Sequence, residues 1–179
     1  LKRNTRVVNI DSGKDYRLRS LEQAQLYHFP VNVTTDKLLI KAFEVFCSAP
    51  ENISVDLSIE IESRYVKYLR LGKDVIWFDF NVICSSPRSQ NDYIELSREF
   101  HAVLVSGVPR MGKSNEDQAR RFINLVDEFY DRDVKLVLSA EVELMSLYED
   151  GSLSFEFQRT KSRLLEMQSY EYLSRAHQP

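Results

Sequence analysis

The sequence predicts an α/β domain: a small mixed sheet built on a βαβ unit, with an antiparallel meander beside it. Two stretches carry the prediction. In Phe100–Ala140 an apolar run from His101 to Val105 leads into a helical pattern. Ala119, Phe122, Ile123, Val126, Phe129 and Tyr130 share one face of that pattern, and a second apolar run, Val134 to Leu138, follows. In Ile53–Ile61 apolar residues alternate strictly with Ser54, Asp56, Ser58 and Glu60, the period of a half-buried strand. The 179 residues suffice for one domain or two small ones, and a chain of this size buries about 70% of its unfolded surface without staples.

Composition excludes several classes. Acids outnumber bases 27 to 24, a net charge of −3, so no overall basic field points to nucleic acid or an anionic membrane. Cys47 and Cys84 lack C-x-x-C spacing and read as reduced core residues of a cytoplasmic protein. No apolar run approaches the ~18 residues of a spanning helix, and no signal peptide is visible. No cluster has metal-ligand spacing. The chain opens at Leu1 without a methionine and soon reads as a strand, which we expect of a piece of a longer protein.

In chain order, Val7 to Ile10 reads as a strand followed by a turn at Asp11-Ser12-Gly13. Asp15-Tyr16-Arg17-Leu18-Arg19 places two arginines at a strand exit, able to reach a phosphate or a partner's carboxylate, or simply solvated. Leu26 to Phe29 reads as a strand stopped by Pro30, with His28 packed among aromatics. Thr34 or Thr35 is expected to cap a helix facing inward through Leu38, Leu39, Ala42, Phe43 and Phe46. Ile53–Ile61 should pair with Tyr65–Leu71 and Val75–Phe80 around Glu62-Ser63-Arg64 and Gly72-Lys73-Asp74. Tyr65, Tyr68 and Trp77 are aromatic but explained by sheet packing. Cys84 to Arg88 reads as a loop and Gln90 to Glu99 as a helix. After the βαβ unit we expect a short helix over Glu143–Tyr148, a strand at Phe155-Glu156-Phe157, and a helix over Arg159–Arg175. That last helix should turn Leu164, Met167, Tyr170 and Leu173 inward, with Arg159, Arg163 and Glu166 on another face.

The loop of the βαβ unit, Gly107-Val-Pro-Arg-Met-Gly112-Lys113-Ser114, matches the phosphate-loop pattern G-x-x-x-x-G-K-[ST] and has the required strand before and helix after. The chemistry opposes it. Asn115-Glu116-Asp117-Gln118 fills the first helical turn. A carboxylate about 4 Å from a phosphate charge costs roughly 4 kcal/mol at an effective dielectric of 20, against the ~0.3–1 kcal/mol the helix dipole offers an anion. Ser114-x-x-Asp117 also reads as a capping box. The next strand ends Leu138-Ser139-Ala140 with no acid; Val75-Ile-Trp-Phe-Asp79 ends in one but precedes the loop. We read the match as incidental, with Gly112, Lys113 and Ser114 as the alternative phosphate-binding set.

Ala119 to Asp131, Val134 to Ala140 and Phe155 to Ser169 followed by Glu171-Tyr172-Leu173 resemble the C-terminal half of the ZapE/AFG-one-like ATPases. Asp15–Arg19, Trp77–Phe80, Cys84, Pro87-Arg88 and Asp92-Tyr93 fall in that family's order. The resemblance covers essentially the whole chain and implies an AAA+ parent whose phosphate loop and magnesium acids, hence its ATP and magnesium, lie in an N-terminal half. It divides the chain into residues 1–20, the last strand and arginine segment of that core, and 21–179, a C-terminal α/β domain. It implies no cofactor in this piece, partnership with the ATPase half, and FtsZ or other proteins as clients. Arg17, Arg19, Arg159 and Arg163 become candidates for nucleotide sensing or subunit contact. The family keeps Val108-Pro109-x-Met111 without a following Gly-Lys-Ser. Phe100–Tyr148 also imitates the magnesium-strand-to-sensor segment of an AAA+ core, as a degenerate repeat would.

Overall fold

A computed structural model describes residues 25–179. The readings on Val7–Ile10, Arg17 and Arg19 lie outside the described residues. The first strand, β1 (Tyr27–His28), ends at the cis Phe29–Pro30 bond, and α1 (Val33–Phe46) follows. Asn32, not a threonine, is the N-cap: its Oδ1 accepts from the amides of Thr34 at 2.8 Å and Thr35 at 3.0 Å. Thr35 completes the box from the third position, its Oγ1 accepting from the Asn32 amide. Leu38 is exposed, while Leu39, Ala42, Phe43 and Phe46 are buried as expected.

The alternating run does not stay one strand. Asp56 takes a left-handed φ of 52°, dividing it into β2 (Ser54–Val55) and β3 (Ser58–Ile61). Only Ile61 of its apolar set is fully buried; Val55 and Leu57 face solvent. A tight turn with left-handed φ at Glu62 and Ser63 joins β3 to β4 (Arg64–Lys67), forming a separate hairpin. The chain then enters β5 (Arg70–Leu71) and β6 (Val75–Asp79). The meander is thus two pieces, β2-β5-β6 in the main sheet and β3-β4 beside it. Tyr65 is exposed whereas Tyr68 and Trp77 are buried in different cores, so there is no aromatic patch.

A π-helical turn (Asn81–Ser85) leads to α2 (Gln90–Glu99) and β7 (Ala102–Val108). Next come β8 (Met111–Gly112), α3 (Glu116–Asp131), β9 (Lys135–Ala140) and β10 (Tyr148–Glu149). The chain closes with α4 (Ser154–Glu166) and α5 (Tyr170–Ser174). Three expectations fail here. Glu143–Tyr148 is a single 3-10 turn at Leu144–Ser146 running into β10. Phe155–Phe157 is the first turn of α4, because burying Phe157 alone needs a helix face rather than a pleat. The final helix breaks at Met167–Ser169, where Ser169 caps α5, so Tyr172 rather than Tyr170 turns inward.

The main sheet runs β1-β9-β7-β6-β5-β2, with β1, β9, β7 and β6 mutually parallel. Its central strands are covered on both faces. Val75, Trp77, Ala102, Leu104 and Val137 pack under α1. Ile76, Phe78, Val103, Val105, Leu136 and Leu138 pack under α2, α3 and α4. The result is a mixed α/β fold consistent with an AAA+-like unit. Taken in chain order as first to fourth, the parallel strands β1, β6, β7 and β9 lie across the sheet as first, fourth, third, second. β7 and β9, the two strands of the Phe100–Ala140 unit, lie side by side.

Candidate functional site

The motif loop lies directly beyond β7. Gly107, at φ 74°, sits in a bulge and donates its amide to Ser139 Oγ at 3.1 Å. Gly112 is extended backbone in β8, paired in parallel with Glu149 of β10. A Cβ on Gly112 would run into the Glu149 carbonyl, which explains the glycine without a ligand. Three further amides of the loop are committed to protein acceptors. Met111 donates to the Leu147 carbonyl at 2.8 Å, Gly112 to Asn115 Oδ1 at 2.8 Å, and Arg110 to Glu141 Oε2 at 3.0 Å. Glu116 stands in the first turn of α3, its carboxyl accepting from Ser152 and held below the usual carboxylate range by those bonds. Lys113 and Ser114 are exposed. Ser114 is not the cap; Asn115 occupies that position. The bonded amides and the Glu116 carboxylate at the helix start both oppose an anion in this loop.

The arginines of α4 are held against α3. Asp127 and Asp131, one turn apart on α3, face Arg159 and Arg163, one turn apart on α4. Arg159 Nη2 lies 2.6 Å from Asp127 Oδ2, and Arg163 Nη1 lies 2.5 Å from Asp127 Oδ1. The Arg163 guanidinium also stacks over the Tyr130 ring at 4.7 Å and reaches Asp131 at 3.6 Å. Glu166 does not pair with Arg163. It accepts from the Tyr130 hydroxyl at 2.7 Å and from Arg175 at 3.2 Å. Arg175 continues to Asp133 at 3.6 Å and covers the Tyr172 ring.

Below this network lies a group that sequence reasoning missed. Lys135 opens β9 buried, its Nζ donating to the carbonyls of Asp133 at 2.7 Å and Arg175 at 2.8 Å. Burial pulls its ammonium down to about 8, against the partial support of Asp133. Alternation along β9 could have flagged it, since an inward position of a buried strand carries a lysine.

Asp92 and Arg64 were missed as well. The Asp92 carboxylate is fully buried and takes Arg64 Nη2 at 2.5 and 2.7 Å and the Ser89 amide at 2.6 Å. It thereby caps α2 and ties the β3-β4 hairpin to it. Among the described residues no cluster of His, Cys, Asp and Glu is suited to a metal, and no helix is long and apolar enough to cross a membrane.

Residues 1–176 match the sequence profile of the AFG1-like ATPases. The chain belongs to the AFG1-like ATPase family. Among the members of that family, it is 45% identical to cell division protein ZapE of Escherichia coli strain K12 over 177 residues, covering 99% of this chain and 47% of that protein. It is 28% identical over 205 residues to lactation elevated protein 1 homolog B of Danio rerio, covering 96% of this chain and 41% of that one. The chain spans less than half the length of these AFG1-like relatives. No solved structure matches.

Proposed function

We propose that this chain is the C-terminal regulatory and interaction region of a ZapE-type AAA+ ATPase, and that it hydrolyses no nucleotide by itself. In this reading ATP and magnesium bind the N-terminal ATPase half, cytoplasmic in location, and the region described here relays contacts to that half, to a neighbouring subunit or to a cell-division client such as FtsZ. The observation carrying the reading is the commitment of the Gly107, Arg110, Met111 and Gly112 amides to protein acceptors, with Gly112 locked against Glu149. Arg159 keeps an exposed guanidinium edge and is the arginine of α4 available for contact; Arg163 is enclosed and positions it through Asp127. Arg17 and Arg19 remain contact candidates on the segment leading into the domain.

Calorimetric titration of this chain with ATP and magnesium tests the reading. We expect no binding isotherm, and none created or removed by Lys113→Ala. Saturable binding abolished by Lys113→Ala would instead establish an autonomous nucleotidase. In the intact ATPase carrying this region, Arg159→Ala should lower turnover while shifting the melting temperature by no more than about 3 °C.

A further inference from the structure

The main sheet has two edges, and they are finished differently. At one edge β2 is stopped by the left-handed Asp56, and the chain turns away into the β3-β4 hairpin. The other edge is β1. The Leu138 amide donates to the Leu26 carbonyl at 2.8 Å, and His28 stands in register with Ser139, so the backbones of Leu26 and His28 face β9. Those of Tyr27 and Phe29 therefore face outward. Among the described residues no hydrogen-bond partner meets their amides or carbonyls.

The surface beside that edge is apolar. Phe29 is 51%, Val31 42% and Val33 70% exposed; they are three of the eleven exposed large hydrophobic residues among those described, and they fall within five positions. Leu26 to Thr35 contains no Asp, Glu, Lys or Arg. Sheet edges are ordinarily protected from pairing by charged side chains, lysine above all, or by a covering element. Here Pro30 confines the edge to Tyr27 and Phe29, and no charge on the edge repels a strand laid against them. Outward backbone flanked by exposed apolar side chains is the pattern of strand addition, in which main-chain bonds and side-chain contacts act together.

The occupant follows from where the chain enters. Residues 1–24 lead directly into β1, and the relatives the chain matches are more than twice as long as it is. Polypeptide joined through that lead meets β1 at an effective concentration of about millimolar, which a free partner or a second copy reaches only at high concentration in solution.

We propose that an extended apolar strand of the ATPase half pairs with the outer edge of β1 and covers Phe29, Val31 and Val33. The proposal rests on the contact-region reading above and names the surface through which the two halves meet. Hydrogen exchange followed by mass spectrometry compares this chain with the intact ATPase that carries it. Peptides spanning Tyr27–Phe29 should exchange at least about tenfold more slowly in the intact protein. In the intact protein Val31→Lys/Val33→Lys should return that exchange to within about twofold of this chain's. Leu57→Lys/Tyr65→Lys, at exposed apolar positions away from β1, should leave the protection in place. Unchanged exchange in β7 and β9 shows that each variant is folded. Equal exchange in the chain and the intact protein, or protection that survives Val31→Lys/Val33→Lys, would overturn the proposal. So would protection that this chain acquires by itself as its concentration rises, the mark of a second copy. The ATP titration is read separately, so a failure here leaves the nucleotide reading standing.

Discussion

Removing Asp127 should distinguish the two arginines of α4, because one carboxylate holds both in different surroundings. The Arg159 side chain is 57% exposed, so its bond to Asp127 has the worth of a surface pair, about 0.2–1 kcal/mol. Arg163 and Asp127 are 21% and 23% exposed, so theirs is a partly desolvated, charge-assisted bond of about 1.5–3 kcal/mol. Stacking on Tyr130 adds about 0.5–1 kcal/mol to the Arg163 side. Arg163→Ala should therefore cost about 2–4 kcal/mol and Arg159→Ala less than about 1 kcal/mol, read by urea denaturation at constant m. Asp127→Ala should fall between them, since Asp131 and Tyr130 still face Arg163. A double-mutant cycle should give Asp127–Arg163 the larger coupling. Equal costs for the two arginines would refute the division into an anchoring and an available guanidinium.

The other predictions concern groups whose role the geometry defines. Arg64→Ala strands the buried Asp92 carboxylate on its Ser89 bonds alone and should cost about 2–3 kcal/mol, with proteolysis entering first at the β3-β4 hairpin. Gly112→Ala forces β8 away from Glu149 and should lower the melting temperature by several degrees, whereas exposed Lys113→Ala should stay within about 0.5 kcal/mol. Lys135 titrates near 8 folded against 10.5 unfolded, so between those values the unfolded chain binds more protons and stability rises with pH. The full window is worth on the order of 3 kcal/mol. Chemical denaturation should show the rise from pH 8 to 9.5, before buried Tyr93 and Tyr172, whose hydroxyls are raised by burial, reverse it. Lys135→Met should flatten the slope.

What was legible in the sequence followed burial. α2 and α3 were read nearly to the residue, and β7 and β9 in place but two or three residues short at their ends, because their apolar faces are long and packed, as with Phe122, Val126 and Phe129 on α3. The alternation of Ile53–Ile61 misled because a single left-handed residue, Asp56, ends the strand, and periodicity carries no mark of that. Phe155–Phe157 misled because two aromatics at spacing two imitate a pleat, while the neighbours that decide the matter, Phe122 and Tyr148 stacked on Phe157, are distant in sequence. The site arginines were legible as an i, i+4 pair, but their common partner Asp127 lies on another helix.

Topology gives the strongest reason for treating the literal phosphate-loop motif as a coincidence of letters. In an open α/β sheet the ligand crevice lies beyond the carboxyl ends of the strands where the winding reverses, and here that reversal falls between β1 and β9. The motif follows β7, inside the run β6-β7-β9 and one strand removed from the reversal. The connection that does stand there runs from Phe29 to Asn32 into α1, and its helix start is already closed by the Asn32 and Thr35 side chains. At the reversal itself the helix start is capped by Asn32, and the motif after β7 is drawn into the β8-β10 pair instead, so neither loop leaves its backbone open to an anion.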